Sequence, residues 1–208
     1  ETDRPIKQES ADIGGGIEVP IAITGPKSHG WWALNTLMVV IGMIGFMAVF
    51  AYLYLYGINP EVWSAPPPLG ETAIIVGIEA AALLAAWGGR RVLASKEGRL
   101  AEDLPWMLEA LAATLLVGAL YLDVTGWLAT GLEPTANGMG ATVFMLSVLQ
   151  GQVVVVAVIM ATYLAFREAR GIMTTPTNVT MDIVARFIMF CALQGMVFTF
   201  LPRVFPGV

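Results

Sequence analysis

The run at 140–166, GATVFMLSVLQGQVVVVAVIMATYLAF, limits what this chain can fold into more than any other stretch. It carries no charge, and Arg167-Glu168-Ala169-Arg170 follows at once. A helix rises about 1.5 Å per residue, so the roughly 30 Å core of a bilayer needs about 20 residues. This run exceeds that length. A soluble helix as long would show a polar face, and none is visible. Ala157, Ala161 and Ala165 form a small-residue stripe at intervals of one helical turn, which lets a neighbouring helix come close. If this run is a span, the remainder must be read as a membrane bundle.

Composition agrees. Of 208 residues, 57% are hydrophobic and 13% charged, whereas soluble domains carry about 25% charge. The acids cluster in the first part of the chain and in the connections, and no basic arm suited to nucleic acid is present. The single cysteine, Cys191, excludes an internal disulfide and a cysteine-ligated cluster. The single histidine, His29, restricts metal chemistry, because haem, copper and zinc sites draw on several His or Cys ligands. His29 itself reads as a residue near the membrane surface. No nucleotide-binding glycine pattern or nucleophile elbow appears. The chain opens on Glu1 with no signal peptide and reads as a processed piece, or one lying behind another segment.

The expected fold is an all-α integral membrane protein: a bundle of five transmembrane helices with a polar cytoplasmic arm at 1–30. Apolar length places spans at about 31–56, 69–87, 104–122, 140–166 and 181–201, within a membrane domain at 31–208. Trp31 and Trp32 open the first span, and Tyr52, Tyr54 and Tyr56 close it as an aromatic boundary. Pro66-Pro67-Pro68 cannot continue a helix. Gly88-Gly89-Arg90-Arg91 closes the second span, Pro105 suits the first turn of the third, and Pro202 and Pro206 stop the fifth. The polar loop after the third span is expected to begin at Asp123.

Five spans place Arg4, Lys7, Lys27, Arg90, Arg91, Lys96, Arg99, Arg167 and Arg170 on one face. That face is then cytoplasmic. The arm is then expected to be cytoplasmic and the C-terminus exoplasmic. Arg203 alone dissents. No internal repeat of the kind common in transporters is evident.

A few polar residues fall inside these spans. Glu79 lies near mid-membrane, where desolvation favours a neutral carboxyl. It reads either as part of a proton or ion path or as a hydrogen bond between helices; a path needs a series of such groups, and the sequence shows one. Glu109 and Arg186 sit at similar depth, while Asp182 lies one turn before Arg186. Arg186 can therefore serve Asp182, Glu109 or both, or reach the interface alone. Gln150 and Gln152 differ by about 200° around a helix, so only one of them is expected to face a neighbour. Gln194 is similar. Structural roles are expected for all three, and no catalytic, cofactor-binding or metal-binding residue is assigned.

Several stretches in order carry a resemblance. Gly25-Pro26-Lys27-Ser28-His29-Gly30-Trp31-Trp32, the loop with Trp63 and Pro66-Pro67-Pro68-Leu69, and Lys96-Glu97-Gly98-Arg99 come first. Met107-Leu108, Ala110-Leu111, Gly140-Ala141-Thr142-Val143-Phe144-Met145, and Asp182 with Arg186-Phe187 and Phe190 follow. Taken in this order and spacing, the chain resembles subunit III of haem–copper terminal oxidases in its short five-helix bacterial form. The family's His-Gly-x-His is here Gln150-Gly151-Gln152-Val153, and the glutamate usual in the first of these helices is absent from Val40-Ile41-Gly42. Roles tied to those residues do not carry over.

The resemblance implies an accessory, non-catalytic subunit of an oxygen-reducing, proton-pumping complex. Haem and copper would lie in the partner catalytic subunit I, with subunit II alongside and phospholipid bound. The resemblance is to five-helix bacterial versions, which include those that form the C-terminal part of a subunit I–III fusion. The alternatives left open are a companion of nitric oxide reductase, which shares the fold, and an autonomous transporter or channel.

Overall fold

The structure is a computed structural model and describes residues 10–12, 18–20, 29–95, 100–170 and 179–205. In the arm, β1 (Ser10–Asp12) pairs antiparallel with β2 (Glu18–Pro20), with Ala11 opposite Val19. His29 and Gly30, expected in the arm, already belong to the first helix; the rest of the arm, and Lys96-Glu97-Gly98-Arg99 of the basic connection, lie outside the described residues.

Five helices follow: α1 (His29–Ile58), α2 (Leu69–Ser95), α3 (Leu100–Ala129), α4 (Gly138–Ala169) and α5 (Val179–Val204). Each contains a segment long and apolar enough to cross a membrane, an architecture compatible with a multi-pass membrane protein. α5 is the hub, contacting the other four helices, and is the most buried of the five. α2 packs on α3 and α5, α3 also on α4, and α1 lies chiefly against α4 and α5. α1 is the least buried and presents Val39, Met43, Phe46, Met47 and Phe50 outward.

Small residues allow the close packing. Ala82, Ala86, Ala112, Ala157 and Ala192 are buried in one cluster with Leu116, Leu164, Phe187 and Ile188. The expected stripe on α4 is inward at Ala157 and Ala161 and half-buried at Ala165. Such small side chains let helix backbones approach and make van der Waals contact.

The helices outrun the apolar runs that announced them. α2 continues through Gly88-Gly89-Arg90-Arg91 to Ser95, because nothing there breaks the backbone ladder. α3 begins at Leu100, so Pro105 lies inside it rather than in its first turn. It then runs through Asp123 to Ala129, and Gly131 follows with φ 75°, the left-handed geometry that commonly ends a helix. α5 carries Pro202 within its last turns and places Arg203 in the helix, not in a tail. The expected spans end where the apolar run gives way to Gly88-Gly89-Arg90-Arg91, Asp123 or Pro202, and the helices do not.

The connection after α1 is a single 3-10 turn (Pro60–Val62) tied to the bundle. Trp63 Nε1 donates to Tyr52 Oη at 3.0 Å, and Tyr52 Oη donates to the Pro202 carbonyl at 3.3 Å. Tyr52 is therefore buried, whereas Tyr54 is exposed. Alternate residues of a helix point to different faces, so Tyr52 turns inward while Tyr54 turns outward. Asn137 caps α4 by accepting from Gly140 N at 2.8 Å and donates to the Val62 carbonyl at 3.4 Å.

Candidate functional site

The polar side chains inside the bundle gather into two clusters, one toward each end of α5, with Glu109 apart from both. The first joins α2 and α5 where α5 begins. Asp182 accepts from Arg90 Nε at 2.6 Å and from Arg186 Nε at 2.7 Å. Of the partners open to Arg186, the structure selects Asp182 one turn before it. Arg90 is the second cation on that carboxylate and comes from the glycine–arginine segment of α2. All three side chains are partly exposed, so the cluster resembles an interfacial ion network more than a core one.

Glu109 is not in contact with Arg186. It is 1% exposed and lies against Gly89, where an added Cβ would stand 3.0 Å from Glu109 Oε1 and 3.1 Å from the Pro105 carbonyl. Its Oε2 has no hydrogen-bond partner among the described residues. Gly89 thus provides the close approach of α2 to α3 that seats this carboxyl.

The second cluster spans four helices and is the candidate site. Arg203 on α5 pairs through Nη1 with Asp123 Oδ1 on α3, and its Nη2 reaches the Asp123 carbonyl at 3.4 Å. The guanidinium lies over the Trp127 ring, 5.2 Å from its centroid, a cation–π arrangement favoured in desolvated surroundings. Ser147 on α4 donates to Asp123 Oδ2 at 3.3 Å. Thr199, one turn before Arg203, donates to Glu79 Oε1 on α2 at 3.3 Å. Gln150 on α4 donates through Nε2 to the Cys191 carbonyl at 3.0 Å.

Gly195 closes this arrangement. The point where its Cβ would stand is already occupied by Glu79 Oε1 and Gln150 Nε2, so α5 admits both side chains only because it lacks one there. Glu79 Oε2, Gln150 Oε1 and Gln194 Oε1 are buried acceptors without partners among the described residues. Gln152 faces outward, as a separation of about 200° from Gln150 requires.

Glu79 is therefore not an isolated acid inside the bundle. The residues that join it, Asp123, Ser147, Thr199 and Arg203, were missed because two of them were assigned to a loop and a tail. A signal was present. Ala112, Leu116, Ala119, Asp123 and Trp127 recur at three- and four-residue intervals and are all buried, so Asp123 lies on the inward stripe of α3. Thr199 and Arg203 sit one turn apart on the inward face of α5.

Among the described residues, no group of three or more His, Cys, Asp or Glu side chains is placed to hold a metal ion. Two outer grooves are apolar. One, of about 350 Å³, is lined by Val158, Ile159, Thr162, Tyr163 and Phe166. The other, of about 380 Å³, lies between Val76 and the α5 residues Met196, Val197 and Phe200. No family model and no curated protein matches this sequence.

Proposed function

We propose that the chain is an accessory, non-redox subunit of a respiratory haem–copper terminal oxidase. It stands in a bacterial plasma membrane beside catalytic subunit I, which carries the haem and copper, with subunit II alongside. Its N-terminal arm is cytoplasmic and its C-terminal end periplasmic. Its work is to pack against the catalytic subunit, hold phospholipid on its outer face and keep the complex intact while oxygen is reduced.

The observation that carries this reading is where the interior polar groups are spent. Asp123 binds Arg203, Asp182 binds Arg90 and Arg186, Gln150 binds the α5 backbone, and Thr199 binds Glu79. These bonds hold helices together, while both outer grooves are apolar. Such an arrangement suits a body that packs in lipid and against another subunit. The ordered motifs that resemble subunit III support the identity of the partner, and they occupy connections and contacts here: Trp63 ties a loop to Tyr52, and Gly140 lies in the capped first turn of α4. One histidine and one cysteine in the whole sequence supply few of the donors a haem or copper site uses.

Affinity purification of the tagged chain from its own membranes in mild detergent tests the proposal. The expected companion is a haem–copper oxidase catalytic subunit, with haem absorbance that stays with that companion when the two are separated. Recovery of a nitric oxide reductase subunit instead would replace the proposed complex with the related one. A preparation containing neither, or haem retained by the isolated chain, would refute the proposal.

A further inference from the structure

We propose that Arg90 and Arg186, held by Asp182, form the headgroup site for one anionic phospholipid whose acyl chain lies along the seam between α2 and α5. The proposal gives a lipid class and a place to the phospholipid assigned to the outer face. It rests on that part of the proposed function and needs no respiratory partner.

The arginines are engaged in a way that leaves most of their donors over. Asp182 takes one bond from each, and both come from Nε, at 2.6 and 2.7 Å. A guanidinium also carries donors on both Nη groups. None of these makes a bond among the described residues. They are not buried either, and the two side chains are 39% and 30% exposed. One carboxylate between two guanidiniums leaves one positive charge. Neighbouring groups do not cancel it. Arg91 adds to it, its guanidinium 4.9 Å from the centroid of the Trp87 ring. Glu109 is buried on the α3 side of α2, against Gly89. Asp182 is thus a positioning residue. It anchors two planar donor forks on one carboxylate, and such forks suit the oxygens of a phosphodiester.

What lies beyond the arginines fits the rest of such a lipid. The end of α2 meets the start of α5, so the two helices run antiparallel. Arg90, Leu83 and Val76 recur at seven-residue intervals on α2, and Arg186, Leu193 and Phe200 do so on α5. That interval keeps each set close to one helix face. Leu83 and Val76 are half-buried, while Leu193 and Phe200 are exposed. The seam opens into the apolar groove between Val76 and Met196, Val197 and Phe200. Val197 lies about 16 Å beyond Arg186 along α5, close to half the roughly 30 Å hydrocarbon core. A phosphate on the arginines therefore sets an acyl chain over Leu83 and Leu193 with its end at the groove. Trp87, exposed one turn before Arg90 and Arg91, stands where aromatic side chains take the headgroup level. Free phosphate would meet the arginines but not the seam; a lipid meets both.

The test places the full chain in nanodiscs of phosphatidylcholine and phosphatidylglycerol with identical acyl chains. Lipid retained after mild extraction is counted by native mass spectrometry. One phosphatidylglycerol is expected to stay in preference to phosphatidylcholine, and inorganic phosphate at the same concentration should not displace it. Arg90→Gln with Arg186→Gln should reduce the preference about tenfold or more. Should that variant fail to fold, Arg90→Lys with Arg186→Lys serves. It keeps both charges, but an ammonium bonded to Asp182 has no second planar edge, and the preference should again fall. Equal retention of the two lipids by the wild type, displacement by inorganic phosphate, or a preference unchanged in either double variant would overturn the proposal. None of these results depends on which companion is recovered by affinity purification, so the respiratory reading is tested separately.

Discussion

At the scale of single residues, the account places the largest sensitivity at the Asp123–Arg203 pair. Arg203 is 1% exposed, and neither charge has water to fall back on. Removing one partner of a buried pair leaves the other uncompensated and costs about 3–5 kcal/mol, whereas replacing both with apolar residues is often neutral or better. Asp123→Leu or Arg203→Met alone is therefore expected to lower stability by about that much in detergent unfolding. The double variant should recover most of the loss. Gly140 is a second sensitive position. A Cβ there would run into the backbone carbonyl of Glu133, which cannot rotate away as a flexible side chain could. Gly140→Ala is expected to destabilise by about 1–3 kcal/mol, and Asn137→Ala, which removes the cap of α4, by about 1 kcal/mol, both read from the same unfolding curves.

At the scale of elements, the number and order of helices were legible because each apolar run is about as long as a bilayer needs, or longer. Their ends were not. Arg90, Asp123 and Arg203 lie just past the expected spans, yet each is within a helix and is met there by an oppositely charged group on another helix. That partner is invisible to a count made along one segment. The candidate site was legible in part. Glu79 and Gln150 stood out as polar residues in apolar surroundings, and the rotation between Gln150 and Gln152 correctly required them to part. The tertiary choice of Asp182 over Glu109 by Arg186 was open in the sequence, since helix depth is a weaker guide than a neighbour one turn away. The division between the two glutamines yields its own test. Gln150→Leu should cost about 1 kcal/mol, the usual size of an interhelical polar bond. Gln152→Leu, on the outer face, should leave the unfolding midpoint in lipid unchanged or raise it.

At the scale of the whole molecule, one end of the bundle carries the Arg90–Asp182–Arg186 network and the other the Asp123–Arg203 pair with Trp63, Tyr52 and Tyr56. Helices alternating in direction bring the basic ends of α2 and α4 together, and the proposed orientation puts that end in the cytoplasm. The outward apolar face of α1 and the two grooves then face lipid or a companion subunit. The most direct test of this arrangement is labelling of single cysteines by a membrane-impermeant thiol reagent in intact cells, in a Cys191→Ala background. Arg91→Cys and Arg170→Cys are expected to stay unlabelled until the membrane is opened, while Glu61→Cys and Thr135→Cys react from outside. Labelling that puts positions 91 and 170 on opposite surfaces would contradict the five-span bundle on which the proposed function stands.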